Sequence, residues 1–502
     1  MIDVSSITAD LIKSLYLFKP ETTITVSILL AIVFDLIFKK SKHISGYVAI
    51  IGIVVAGFFL FQQSGVEYSA FANLLVIDSF GQFMKFIILL STLIIIIFTF
   101  FSKELHYEKP RLGEYFILIL SLCFGMLLLV GSANLMMIYL SIEIMSISSY
   151  ILAGYTKEIK RASEASLKYV IFGAVSSGIM LYGISILFGL TGSLNLFEIN
   201  QYLLSGEVGH IPLFISCFMI IAGFGYKISL VPFHFWAPDV YEGAPVTITA
   251  YLSVASKAAG FAVLLRFFKT CLVDSAPGTS ETWHLISSID WRYVLIVLSV
   301  LTMTLGNLVA IWQVNMKRLL AYSSIAHAGY LLMAVSVLND NGVSAVLIYF
   351  FFYMLMNLGA FFIVQLIANK TDSENIEDYT GLGFKAPVIS VCLTVFLISL
   401  TGLPPTAGFI GKLYVFTSVI NAGFIWLAVI GVINSVISLY YYMKVVRNMY
   451  MKQNENTAEK FKFSPAVIII VLILAIPTLI FGIYFTPIVQ WANLSMNIFI
   501  GK

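Results

Sequence analysis

Long, nearly uninterrupted apolar runs dominate this sequence and constrain its fold more than any other feature. A helix that crosses the hydrocarbon core of a bilayer needs about 20 mainly apolar residues. Runs of that size lie near 20–38, 44–63, 83–101, 113–130 and 132–153. Others lie near 168–189, 210–230, 245–268, 291–312, 319–337, 342–368, 388–419, 425–446 and 467–487. They predict an all-α polytopic membrane protein of about 14 transmembrane helices. A membrane β-barrel is disfavoured, because its strands would read as alternations of about ten residues. Composition supports the same reading: 60% of the 502 residues are hydrophobic and only 11% charged, with a mean hydropathy of +0.96. A soluble domain carries about 25% charged residues, and so few charges cannot cover a water-facing surface.

Charges between the runs alternate by side. One set of loops carries Lys39, Lys40 and Lys42, then Lys103, Lys109 and Arg111, then Lys157, Lys160 and Arg161. It continues with Lys317 and Arg318, then Lys444, Arg447, Lys452, Lys460 and Lys462. The loops near 64–75, 190–209 and 338–341 have no lysine or arginine. The positive-inside rule places the basic set in the cytoplasm. An even helix number then puts both termini outside, with the 270–290 loop and its Asp274, Glu281 and Asp290. Met1 to Lys19 is mixed and polar, unlike a cleaved signal peptide. The net charge is +3, and no basic tract points to nucleic acid. Cys123, Cys217, Cys271 and Cys392 form no close pair with metal or redox spacing and read as small buried hydrophobes.

Two spans look interrupted. One is GFGYKISLVPFHFWAPDVYEGAP, Gly223 to Pro245, and the other SLTGLPPTAGFIGKLYVF, Ser399 to Phe416. Proline removes a backbone donor and clashes with the preceding turn. Open backbone at membrane depth persists only within protein or beside a water-filled cavity. A single break could be an ordinary kink between packed helices. Two breaks, each with its own lysine, point towards a transport path.

Four ionisable residues lie inside apolar runs: Glu143, Lys227, Lys257 and Lys412. Each would cost about 2.5–3.5 kcal/mol at a span centre, so they should face the bundle interior, pair, or touch internal water. A static Glu143–Lys227 ion pair is the structural alternative. A desolvated amine holds its proton less tightly than one in water, so a row of them can exchange protons through hydrogen-bonded water. His234 and His327 suit a relay by their ordinary titration range, although a lone histidine in a bundle is as readily a packing residue. Ser323 and Ser324 could complete a polar network around His327. Asp239 and Glu242, near the first break, read as interfacial groups that tune access. Neither a phosphate-binding loop nor a paired-histidine metal motif is present, and GFGYK lacks the spacing of a nucleotide loop.

These segments resemble the proton-translocating antiporter-like subunits of respiratory complex I, the NADH-quinone oxidoreductases. YLSIEIMSISSYILAGY around Glu143 is similar to the family's fifth-helix motif, and FGYKISLVPFHFWAPDVYEGAP to its broken seventh helix. SVASKAAGFAVLLR places Lys257 at the central lysine, MKRLLAYSSIAHAGYLL is a further signature, and GLPPTAGFIGKLYVF places Lys412 at the lysine of the broken twelfth helix. The likeness runs from about residue 110 to 450. The chain lacks the long lateral helix of the largest such subunit, and Lys412 stands where another sister subunit has glutamate.

The resemblance implies two inverted-topology repeats of five helices containing broken helices, over about 113–268 and 291–446. The expected divisions are an N-terminal three-helix region (1–110), the first repeat (111–270), the second repeat (271–450) and a C-terminal helix and tail (451–502). It also implies outward proton transfer: Glu143 modulating Lys227, Lys257 carrying protons across the middle, and Lys412 serving the external branch. No cofactor or metal is expected in this chain, with quinone, FMN and iron–sulfur clusters elsewhere in the complex. The implied partners are neighbouring antiporter-like subunits, small K-type subunits and lipids, in the inner (plasma) membrane of a bacterium. An Mrp-type sodium/proton antiporter subunit, a hydrogenase membrane subunit and a non-transporting scaffold are the alternatives.

Overall fold

The computed structural model describes residues 4–38, 43–108, 112–206, 208–274, 283–286, 290–452 and 460–500. Among these, twelve helices are long and apolar enough to cross a membrane. Met316–Val335 has the length of a span but is more polar, carrying Lys317, Arg318, Ser323, Ser324 and His327. The run near 388–419 is two helices, Pro387–Thr401 and Ala407–Asn421.

The bundle is layered by burial. Val246–Leu272 and Asp340–Thr371 are enclosed along their apolar stretches and form the centre. Lys19–Ile37, Lys160–Thr191 and Pro465–Ile483 lie at the periphery. On Lys160–Thr191 the exposed Leu167, Ile171 and Val175 recur at helical spacing. They make an apolar outer stripe of the kind that lipid or an apolar partner solvates.

Several elements differ from the sequence-based expectation. The helix expected from residue 168 begins at Lys160, because a polar first turn continues the helix beyond the apolar run. A helix, Val4–Leu17, precedes the first expected span, and Leu196–Leu204 forms inside the 190–209 loop. Two antiparallel strand pairs are too short for periodicity to reveal. Tyr68–Ala70 pairs with Leu75–Ile77, with Tyr68 opposite Ile77, and Val273–Asp274 pairs with His284–Leu285. Of the charges used for the topology reading, Lys39, Lys40, Lys42, Lys109, Arg111 and Glu281 lie outside the described residues. Lys103, Arg161 and Arg318 gather at one end of the bundle, where Lys103 meets Asp372 at 2.7 Å and Arg318 meets Glu242 at 2.8 Å.

One loop device occurs twice. The Leu135 amide donates to Leu194 O (2.8 Å) and the Leu196 amide to Ala133 O (3.0 Å), which bridges Asn134 to Asn195. In the second half the Met316 amide donates to Glu374 O and the Ile376 amide to Val314 O, both at 2.8 Å, which bridges Asn315 to Asn375. The second asparagine of each bridge follows a 32-residue helix, Lys160–Thr191 or Asp340–Thr371. Each helix ends on threonine and a left-handed residue, Gly192 or Asp372. A serine hydroxyl then accepts from the bridging asparagine's amide, Ser193 for Asn195 and Ser373 for Asn375.

Candidate functional site

The first interruption falls at residues 229–235, between His210–Ile228 and Trp236–Gly243. Pro232 has no amide hydrogen, so the helical ladder cannot pass through it. The backbone groups on either side find other partners. Leu230 N donates to Gly225 O at 2.8 Å, Val231 N to the Thr302 hydroxyl at 3.1 Å, and Trp236 Nε1 to Tyr226 O at 2.9 Å. Lys227 is buried in the last turn before the break, and its Nζ donates to Ser146 Oγ at 3.3 Å. Ser146 lies on Leu135–Ala153, one turn beyond Glu143. The half-buried Glu143 carboxylate instead accepts from the Ser177 hydroxyl on Lys160–Thr191. The static Glu143–Lys227 ion pair weighed from the sequence does not form: Ser146 and Ser177 take the two contacts.

Lys257 follows a five-residue π-helical stretch, Leu252–Ser256. Such stretches shift the register of a helix and recur at functional sites. Its buried Nζ donates to Ser324 O at 2.7 Å. Beside it, the Ser323 and Tyr442 hydroxyls share a bond at 2.5 Å. His327 Nδ1 meets the Tyr349 hydroxyl at 2.5 Å and its Nε2 meets Tyr442 at 3.4 Å. Tyr330 lies 5.8 Å from the His327 ring and carries the Lys412 ammonium over its face at 4.4 Å.

Lys412 depends directly on the second interruption, residues 402–406. Thr401 ends the first half-helix, and its carbonyl accepts from Lys412 Nζ at 2.8 Å; Ser435 Oγ accepts at 3.0 Å. Gly402 adopts a left-handed φ of +86°, and a Cβ there would meet Lys412 Cδ at 2.7 Å. Glycine therefore both permits the turn and leaves room for the lysine stem.

The structure thus joins Lys257, Ser323, Ser324, His327 and Lys412 in one polar cluster and places Glu143 and Lys227 in another. Ile228, next to Lys227, packs on Gly260, three residues past Lys257. His234 joins neither cluster; its buried ring lies against Phe235 at 4.5 Å. Asp239 and Glu242 both bind Arg318 at 2.8 Å, and Asp239 also meets Lys168 at 2.6 Å.

Other buried cations are held differently. Lys85 meets Glu21 at 2.6 Å, Lys317 meets Glu374 at 2.6 Å, and the wholly buried Arg266 grips the wholly buried Asp78 at 2.8 and 2.9 Å. Each of these cations faces a carboxylate, whereas Lys227, Lys257 and Lys412 donate only to neutral oxygens among the described contacts.

The profile of the family described as NADH:quinone oxidoreductase/Mrp antiporter, TM, matches residues 132–438, more than half of the chain. The chain belongs to this NADH:quinone oxidoreductase/Mrp antiporter family. A relative in Chloroherpeton thalassium, NADH-quinone oxidoreductase subunit N 2, is 47% identical over 487 residues, covering 96% of this chain and 94% of its own. A chain of respiratory complex I from Thermus thermophilus is 26% identical with a TM-score of 0.77, covering 94% of this chain and 99% of that one. A chain of the Mrp complex from Dietzia sp. shares the fold, with a TM-score of 0.79 at 18% identity, over 96% of this chain and 97% of that one.

In this NADH:quinone oxidoreductase/Mrp antiporter family member, both interruptions and both polar clusters fall inside the matched stretch. Glu21, Asp78 and Lys85 fall before it. Those three and Arg266 are absent from the candidates named from the sequence. The available signal was an isolated cation inside an apolar run, which Lys85 and Arg266 both are. Among the described residues no group of three or more His, Cys, Asp or Glu is placed to hold a metal ion, and the four cysteines are free and buried.

Proposed function

We propose that this chain is the N-type proton-translocating membrane subunit of a bacterial NADH-quinone oxidoreductase. Quinone reduction elsewhere in the complex drives outward proton transfer through Glu143, Lys227, Lys257 and Lys412, with His327, Ser323 and Ser324 as relay groups. The observation that carries this reading is the contrast among buried cations. A lysine closed by a carboxylate is held charged, whereas a lysine that donates to a hydroxyl or carbonyl can give up its proton without stranding a buried anion. Lys227 and Lys412 stand at the two broken helices and Lys257 follows the π-helical stretch. The 47% identity to a subunit N over nearly the whole chain favours this complex over an Mrp assembly, where the likeness is of fold alone.

The architecture in this proposal has fourteen crossings: the twelve apolar helices, Met316–Val335, and the pair Pro387–Thr401 with Ala407–Asn421. The duplicated asparagine bridges support two five-helix repeats, over 113–268 and 291–446, within the division 1–110, 111–270, 271–450 and 451–502. With these crossings, five separate Asn134 from Asn315, which would put the two bridges on opposite faces and supports inverted repeats. Neighbouring antiporter-like and small K-type subunits flank the chain in the inner membrane, and FMN, iron–sulfur clusters and quinone belong to other subunits. The test is Lys257→Met in the purified complex, reconstituted into vesicles. Quinone reduction with little proton translocation is expected, and a normal proton-to-electron ratio in an assembled variant would overturn the proposal.

A further inference from the structure

We infer that Lys257 is supplied from the basic-loop side by a hydrated polar file along the seam between Asp340–Thr371 and the Val246–Leu272 span, separate from the break that holds Lys227. This inference rests on the proposed function and adds the uptake route.

The file starts at a cavity of about 680 Å³ at the basic end of the bundle, lined by Lys103, Glu104, Asn315, Gln365, Asn369 and Glu374 among others. Val246, the first residue of the enclosed span, also lines it. The cavity therefore abuts both sides of the seam. Gln365 is 2% exposed. Its Nε2 donates to Phe98 O at 2.9 Å, but its Oε1 has no hydrogen-bond partner in the protein. Eight residues earlier on the same helix, a rise of about 12 Å, Asn357 is fully buried. Its Nδ2 donates to Ser253 Oγ at 2.6 Å, while its Oδ1 is unpartnered. Ser253 lies in the π-helical stretch directly before Lys257, and Ser256 Oγ in the same stretch is buried and unpartnered.

Gln365, Asn357, Ser253 and Ser256 thus form a series from the cavity to the residue before Lys257, whose amine is held at Ser324 O. Buried polar atoms are nearly always hydrogen-bonded, and where protein supplies no partner, internal water does. Three such atoms along one interhelical seam, ending at a lysine and starting at a polar cavity, fit stations of a water chain better than isolated defects. At the first interruption, by contrast, Ile228, next to Lys227, packs against Gly260, three residues past Lys257.

The test uses the whole complex in sealed vesicles, with assembly checked on native gels. Asn357→Leu and Gln365→Leu should assemble and lower proton-coupled turnover roughly tenfold, which is about 1.4 kcal/mol of added barrier. The loss should deepen as pH on the basic-loop side rises. Asn357→Ser, which keeps a polar group and leaves space for water, should restore most of the rate; a packing role would make it as damaging as leucine. Ser253→Ala removes a hydroxyl without adding volume and gives a readout if the leucine variants fail to assemble. Its turnover should fall with the same pH dependence. Parent-like turnover and pH profile in Ser253→Ala, or in assembled Asn357→Leu and Gln365→Leu, would overturn the route. Failure of Asn357→Ser to rescue would also overturn it. If Lys257→Met stops proton transfer while the seam variants do not, only the route fails. If Lys257→Met is also without effect, the proposed function fails with it.

Discussion

Lys227 and Glu143 lie one helical turn out of register: Lys227 Nζ donates to Ser146 Oγ at 3.3 Å, three residues along from Glu143, whose carboxylate holds the Ser177 hydroxyl. Neither group is locked by the other.

Lys227 therefore separates a relay from a brace. Lys227→Ala should assemble and lose proton translocation through this branch. Lys227→Arg should also be impaired, because guanidinium hardly deprotonates in proteins. A brace would rank the two in reverse, with arginine nearly harmless. Proton-to-electron ratios in vesicles, read beside quinone reductase rates, distinguish the two; a normal ratio in assembled Lys227→Arg would defeat the relay assignment.

Glu143→Gln keeps the shape of the side chain and can still bond Ser177, so the subunit should remain in the complex. Pumping should fall, because the acidic group beside Lys227 is gone. If the loss instead tracks disappearance of the subunit from the membrane, Glu143 is structural.

Arg266 should behave in the opposite way. It closes on Asp78 with two bonds and on Val130 O with a third. Arg266→Ala leaves a buried carboxylate uncompensated and should cost about 3–5 kcal/mol, seen as loss of assembled subunit rather than altered coupling. Burial alone would raise the Asp78 carboxyl; Arg266 and the amides of Phe499 and Gly81 outweigh it and hold the group below the usual carboxylate range. A depressed folded-state value gives stability that is complete above about pH 4, the unfolded aspartate range, and lost as pH falls further. Thermal unfolding followed down the acid range should show that loss in the parent protein.

Single cysteines in 157–168 and 444–462, and at Lys103, should react with impermeant reagents only from the cytoplasmic face of sealed vesicles. The alternation of basic loops is the reason. Consistent labelling from the outer face would reverse the orientation.

The spans were legible because lipid solvation leaves a long, unambiguous apolar signal, and the two interruptions because proline and glycine cluster there. The partners of each buried charge were not legible. Glu143 and Lys227 look like a pair in sequence, yet a three-residue offset on one helix puts Ser146 against the lysine. The π-helical turn before Lys257 leaves no compositional mark, since LSVAS suits an ordinary helix equally well. The strands at 68–77 were too short to alternate detectably. One feature could have been found: Thr191, Ser193 and Asn195 recur as Thr371, Ser373 and Asn375, with the same spacing and the same local hydrogen bonds. That pattern supports the proposed two-repeat architecture without any resemblance to known proteins.

The Asp78 cradle also sets an order of events during biosynthesis. Asp78 and Phe499 are 421 residues apart in the chain, and the Phe499 amide donates to Asp78 Oδ2 at 3.0 Å. At about 5–20 residues per second, the ribosome delivers that amide roughly 20 to 85 seconds after Asp78 has emerged. Arg266 arrives in between, so the carboxylate passes through an interval in which its counterion is present and its last donor is not. The end of the bundle that holds Asp78 is consequently finished late, by a tail that acts as a clasp, and a nascent chain halted before it would carry an unfinished seam where a quality-control protease could begin.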